Sequence, residues 1–157
     1  MASSTLILLV GPRGAGKSTI GRLLEAELGA RFVEVEAIAR AAIRQAGGAR
    51  GAHDAIVAHL AAAGAEHPLL VAETTGAASG MAGFVAALRA QHTVRIVRVD
   101  ASAELCAARS GATDAPPGLV RELYLRSTSL ELPWDLVLDN NRPLTAAEVA
   151  RAVAPLL

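Results

Sequence analysis

Residues 11–18 read GPRGAGKS and fit the phosphate-binding pattern G-x-x-x-x-G-K-[ST]. The flanks constrain the fold as much as the match does. An apolar run, TLILLV at 5–10, precedes the loop, and TIGRLLEAELG at 19–29 follows it with helical spacing. The chain is therefore expected to begin strand–loop–helix. Gly11, Gly14 and Gly16 let backbone N–H groups turn inward on a phosphate, and the helix start adds partial positive charge. Lys17 can reach the β- and γ-phosphates, and Ser18 can ligate magnesium. Arg13, Ala15 and Thr19 complete the expected nucleotide contacts of this loop.

Beyond the loop, apolar runs alternate with helical patterns. Strands are expected at 5–10, 31–35, 68–72, 94–99 and 135–139. Helices are expected at 17–29, 36–46, 52–64, 80–91, 102–110, 117–130 and 145–154. This alternation predicts an α/β fold with a parallel sheet, and right-handed crossovers make it a three-layer α/β/α sandwich. GGARG at 47–51 reads as a break between two helices. SGATDAPPG at 110–118, with Asp114 within it, reads as a flexible, lid-like loop.

The 157 residues fit one domain, 1–157. Hydrophobic residues make up 52% of the chain, but much of that is alanine, and no apolar run approaches the roughly 18 residues of a spanning helix. No membrane partner is expected. The start lacks a basic n-region, and its apolar run leads straight into the phosphate loop, so the expected location is the cytoplasm. Cys106 is the only cysteine, which excludes an internal disulfide and suits a buried thiol on a helix. Net charge is +0 and aromatic content 3%, without the basic stripe or stacking aromatics of a nucleic-acid binder. The four histidines lack metal-ligand spacing and are expected at the surface or in turns.

Ligands of open parallel sheets bind beyond the carboxyl ends of the strands. Besides the loop, that rule selects Glu34 and Glu36, Glu73 to Gly76, Asp100, and Asp139 to Arg142. On a continuing strand Glu34 and Glu36 would face one side. One could hold magnesium through water while the other accepts a substrate proton. Glu36 could instead start a helix and complement its dipole. Glu73 ends the run LLVA, where an acid can orient magnesium. Thr74 and Thr75 can donate to phosphate or substrate, or simply form a turn, and Gly76 allows close backbone approach.

The stretch GPRGAGKSTIGRLLEAELGARFVEVEAIAR resembles the small P-loop kinases, most of all their shikimate-kinase-like branch, whose pattern is GxxGxGKSTxGxxLAxxLxxxFxDxDxxIE. The resemblance implies a five-stranded parallel sheet in the order 2-3-1-4-5, ATP and Mg2+ as cofactors, and a small-molecule acceptor. It further implies that Arg109 packs on adenine, that the loop from Asn140 to Pro143, with Asn141, Arg142 and Pro143 as contacts, lies against it, and that Arg126 follows the lid on the acceptor side. Several positions depart from the pattern. Its two aspartates are Glu34 and Glu36 here, its triple glycine is replaced by AETTGAASG, and its basic Arg-Pro lid is absent. Phosphorylation of shikimate itself is therefore not expected.

The expected activity is transfer of the γ-phosphoryl group of ATP to a small hydroxyl- or phosphate-bearing acceptor. Lys17, Glu34, Glu36 and Glu73 are the expected catalytic residues. Ser18, Glu34 and Glu73 are expected at the metal, and Glu36, Thr74, Thr75, Gly76 and Arg126 at the acceptor. Arg40, Arg44, Arg50 and His53 are further cations available to an anionic acceptor. The alternative is a nucleotide-binding regulator that transfers nothing. A GTPase switch would want an NKxD-type run, which the chain lacks.

Overall fold

The computed structural model describes residues 3–45, 48–111 and 116–157. Five strands form one sheet in the order β2-β3-β1-β4-β5. They are β1 (Thr5–Val10), β2 (Arg31–Val33), β3 (Leu69–Thr74), β4 (Thr93–Asp100) and β5 (Leu136–Asp139), and every pairing is parallel. β1 takes the centre because it can be buried on both faces: Leu6 to Val10 are all within 1% of full burial.

Strand alternation divides the interior in two. Leu6, Leu8 and Val10 point to a core shared with Ile56, Leu60, Phe84 and Leu88. These come from α3 (Gly48–Glu66) and α4 (Met81–Arg89). Ile7 and Leu9 point to the opposite core with Ile20, Leu24, Cys106, Val149 and Val153. Those residues come from α1 (Lys17–Leu28), α5 (Ala103–Ser110) and α7 (Ala146–Val153). Truncating a fully buried residue such as Leu24 to Ala would cost about 2–5 kcal/mol.

Two expectations need correction. β2 ends at Val33, not at residue 35, because Glu36 opens α2 (Glu36–Arg44) and Val35 turns inward as its N-cap. Residues 48–51 of GGARG belong to the first turn of α3, where burial of Ala52, Ile56 and Leu60 overrides the low helix propensity of glycine. His92 lies in the turn before β4, as expected, and is 5% accessible, with Nδ1 sharing a 2.7 Å hydrogen bond with Ser4 Oγ. The tip of the lid-like loop, 112–115 with Asp114, lies outside the described residues. The helix that follows is α6 (Pro117–Thr128).

Candidate active site

The phosphate loop leaves β1 at its carboxyl end and enters α1 through Gly16, whose φ of 94° is left-handed and suits glycine alone. Among the described residues no side chain caps the first turn of α1, and no acid stands in that turn. By contrast, Ser102 caps α5 and Thr145 caps α7. An uncapped first turn leaves amide donors and positive dipole for an anion.

Lys17 is buried and donates to the Pro12 carbonyl at 2.9 Å, which folds the side chain back over the loop. Burial pushes its pKa below the ordinary lysine value, while Glu73, Cys106 and Glu36 pull it back. Ser18 Oγ donates to Glu73 Oε1 at 3.1 Å. That contact follows from alternation on β3: Ala72 faces the α3–α4 core and Val71 the α1 core, so Glu73 turns toward α1 and Thr74 away from it.

The loop is held from below by residues at the end of the sheet. Asn140 Nδ2 donates to the Ala15 carbonyl at 2.6 Å, and Arg109 donates to the Asn140 carbonyl at 2.7 Å and more weakly to Ala15. A Cβ on Gly16 would overlap Asn140 Nδ2, and one on Gly14 would overlap the Cys106 carbonyl. Asn140 is among the residues expected beyond the last strand, and its side chain serves to hold a carbonyl of the phosphate loop. Cys106 is a buried thiol whose pKa is raised by burial, against the pull of Lys17 and Arg109.

The turn after β3 keeps both threonine hydroxyls occupied as acceptors: Thr74 Oγ1 takes the Gly76 amide at 3.2 Å and Thr75 Oγ1 the Ala77 amide at 3.3 Å. Gly76, with φ of 71°, lies under Leu130 and Val10, where a Cβ would not fit. Helix α6 is tied across this end of the sheet. Tyr124 donates to the Ala101 carbonyl at 3.0 Å, and Ser127 donates to the Thr75 carbonyl.

Glu34 and Glu36 part company. Glu36 is in the first turn of α2, within electrostatic reach of Lys17. Glu34 pairs with Arg22, whose guanidinium also lies 5.7 Å from the Phe32 ring centroid. Glu34 lines a groove on the outer edge of β2 that runs down to Glu66 and His67, before β3 begins. The expectation of two carboxylates on one strand face toward the phosphate therefore fails at its premise, because the strand stops at Val33.

Other expected residues are engaged elsewhere or open to solvent. Arg126 pairs with Glu122 along α6. Arg142 bonds Glu148, whose pKa it lowers to about 2 together with the Thr145 amide. Asn141 accepts from the Ser102 amide at 2.8 Å and donates to Asp139, holding the Asp139 carboxyl below its ordinary pKa. Asp100 accepts from Arg98 Nε at 2.6 Å. Arg13, Ser18, Thr19, Arg40, Arg44 and Pro143 are exposed, and the Arg50 side chain lies outside the described residues. His53 stacks on Phe84 with ring centroids 4.3 Å apart, and burial lowers its pKa.

A family model described as AAA domain matches residues 6–118, well over half of the chain. The chain belongs to this AAA domain family. Among solved structures, this AAA domain is similar to a sugar kinase of Janibacter sp. HTCC2649. Identity is 21%, with 98% of this chain and 94% of the other covered, at a TM-score of 0.71. It is also similar to a gluconokinase of Sinorhizobium meliloti 1021, at 20% identity over 99% and 93% of the two chains, TM-score 0.70. The shikimate kinase of Acinetobacter baumannii, in complex with shikimate, matches at 20% identity over 99% and 93%, TM-score 0.69. These likenesses establish the fold. In sequence, 38 residues are 53% identical to the shikimate kinase of Actinobacillus pleuropneumoniae serotype 5b (strain L20). That match spans 24% of this chain and 22% of that relative's length. No described helix is long and apolar enough to cross a membrane.

Proposed function

We propose that this AAA domain is an ATP-dependent phosphotransferase acting on a small hydroxyl- or phosphate-bearing acceptor. One observation carries the reading: the Ser18 hydroxyl and the Glu73 carboxylate meet at 3.1 Å beside the buried Lys17, at the uncapped start of α1. The small-molecule kinases among its structural neighbours support it.

The donor set suits Mg2+, a hard cation that takes one or two protein oxygens and completes its shell with phosphate and water. Among the described residues no cluster of three His, Cys, Asp or Glu side chains could hold a metal unaided, which accords with an ion that arrives with the nucleotide. Ser18 and Glu73 would hold it, and bound there it supplies neutralisation of the phosphate charge.

The remaining chemistry belongs to the chain. The α1 amides and Lys17 bind the phosphates and stabilise charge on the transferring group. Glu36 accepts the proton of the acceptor hydroxyl. The acceptor oxygen then forms a bond to the γ-phosphorus, the bond from that phosphorus to the β,γ-bridging oxygen breaks, and ADP departs with the electron pair. Arg109 and Asn140 keep the loop in register, and Arg109 remains the candidate for packing on adenine. Thr74, Thr75 and Gly76 border the acceptor on the opposite face of the sheet from α1. The test is acceptor-dependent ADP release from Mg-ATP. A nucleotide-binding protein without transferase activity would bind ATP and show none.

A further inference from the structure

Helix α6 is largely exposed: Tyr124 and Thr128 are half-buried, and Ser127 alone is buried among its residues. Leu119, Val120, Leu123 and Leu125 are each more than a third accessible, whereas Ser127 is 5% accessible. Its hydroxyl donates to the Thr75 carbonyl, 52 residues away in sequence. Three residues earlier, Tyr124 donates to the Ala101 carbonyl. Thr75 follows β3 and Ala101 follows β4, and β1 lies between these strands. The second half of α6 thus bridges the carboxyl end of β1, where the phosphate loop begins.

What Ser127 grips is the turn placed at the acceptor. The two hydroxyls of that turn are already used on the Gly76 and Ala77 amides, and Gly76 is packed under Leu130, two residues beyond α6. Two carbonyls of the turn are bonded from outside it: Thr74 accepts from the Gly11 amide at 3.2 Å, and Thr75 accepts from Ser127, the one side chain that does so among the described residues. Removing the Ser127 hydroxyl leaves the turn beyond Thr74 with its own weak local bonds.

We propose that Ser127 is a positioning residue of the acceptor site: it holds the 74–77 turn in shape and makes that shape depend on the seating of α6. The inference rests on the kinase reading for the word acceptor, but not for the contact itself. Acting through Thr75, Ser127 should govern acceptor binding and leave nucleotide binding alone.

The test compares the wild-type chain with Ser127→Ala, Ser127→Thr and Thr128→Ala. Thr128 Oγ1 bonds only the Tyr124 and Leu125 carbonyls, so its removal alters α6 without touching the turn. Amide hydrogen exchange at Gly76 and Ala77 should quicken about tenfold or more in Ser127→Ala. It should stay near wild type in Thr128→Ala and recover in part in Ser127→Thr. Affinity for Mg-ADP should be unchanged in all three, which also reports that each variant folds. With sodium D-gluconate as a probe, the shift of the Gly76 amide resonance should need about tenfold more probe in Ser127→Ala. Unchanged exchange at Gly76 and Ala77, or equal quickening in Thr128→Ala, overturns the proposal and leaves the kinase reading standing. Loss of Mg-ADP binding by the wild-type chain would count against the kinase reading instead.

Discussion

Asn140 and Ala15 stand 125 residues apart in sequence and 2.6 Å apart in space, amide nitrogen to carbonyl oxygen. The contact joins the end of the last strand to the crown of the phosphate loop. Asn140 is 6% accessible, so its loss leaves a buried carbonyl with only the weak Arg109 contact. Asn140→Ala should lower stability by about 1–3 kcal/mol and weaken Mg-ATP binding about tenfold, read by urea unfolding and calorimetric titration. Wild-type affinity in a folded Asn140→Ala variant would show that the loop holds its shape unaided.

The two glutamates after β2 should behave differently. Glu36 lies within reach of Lys17, and Glu34 is tied to Arg22 in an exposed pair. Glu36→Gln should reduce acceptor-dependent turnover by about a hundredfold or more, as expected for a lost general base. Glu34→Gln should stay within about fivefold of wild type, as for an exposed ion pair. Steady-state rates of both variants decide it, and the reverse ranking would return the metal or base role to Glu34.

His92 gives the fold a pH dependence. Its ring is buried against Ser4, its Nε2 has no partner among the described residues, and burial lowers its pKa below the ordinary histidine value. The unfolded chain therefore binds this proton more readily than the folded one. The contribution is fully present above the unfolded value of about 6.5 and is lost as pH falls below it. His53 shifts in the same direction, so the variant must isolate His92. The fall in urea midpoint between about pH 7.5 and about pH 5.5 should be smaller in His92→Asn than in wild type. An equal fall in both would assign the effect elsewhere.

Local features could be read along the chain, and long-range contacts could not. The phosphate loop, the parallel sheet and Glu73 at the end of a strand rest on period, run length and glycine placement within a few residues, whereas the strand order with β1 at its centre was implied by the family resemblance. Glu34 was misplaced because FVEVE alternates like a strand, yet Val35 is drawn into the core and α2 starts one residue later. The GGARG segment reads as a break from propensity alone, while tertiary burial makes most of it helix. Asn140 under Ala15, Ser127 on Thr75 and Ser4 on His92 join distant segments, and no local pattern announces such pairs.

The most direct test is ADP release from Mg-ATP by the purified chain and by Lys17→Ala, screened against pooled nucleosides, nucleotides, sugar acids and hydroxy acids. The account predicts stimulation of the wild type by one pool. It predicts loss of that stimulation in Lys17→Ala, with the circular dichroism of the folded protein retained. Tight binding of Mg-ATP with no stimulation by any pool, or unchanged turnover in Lys17→Ala, would contradict it.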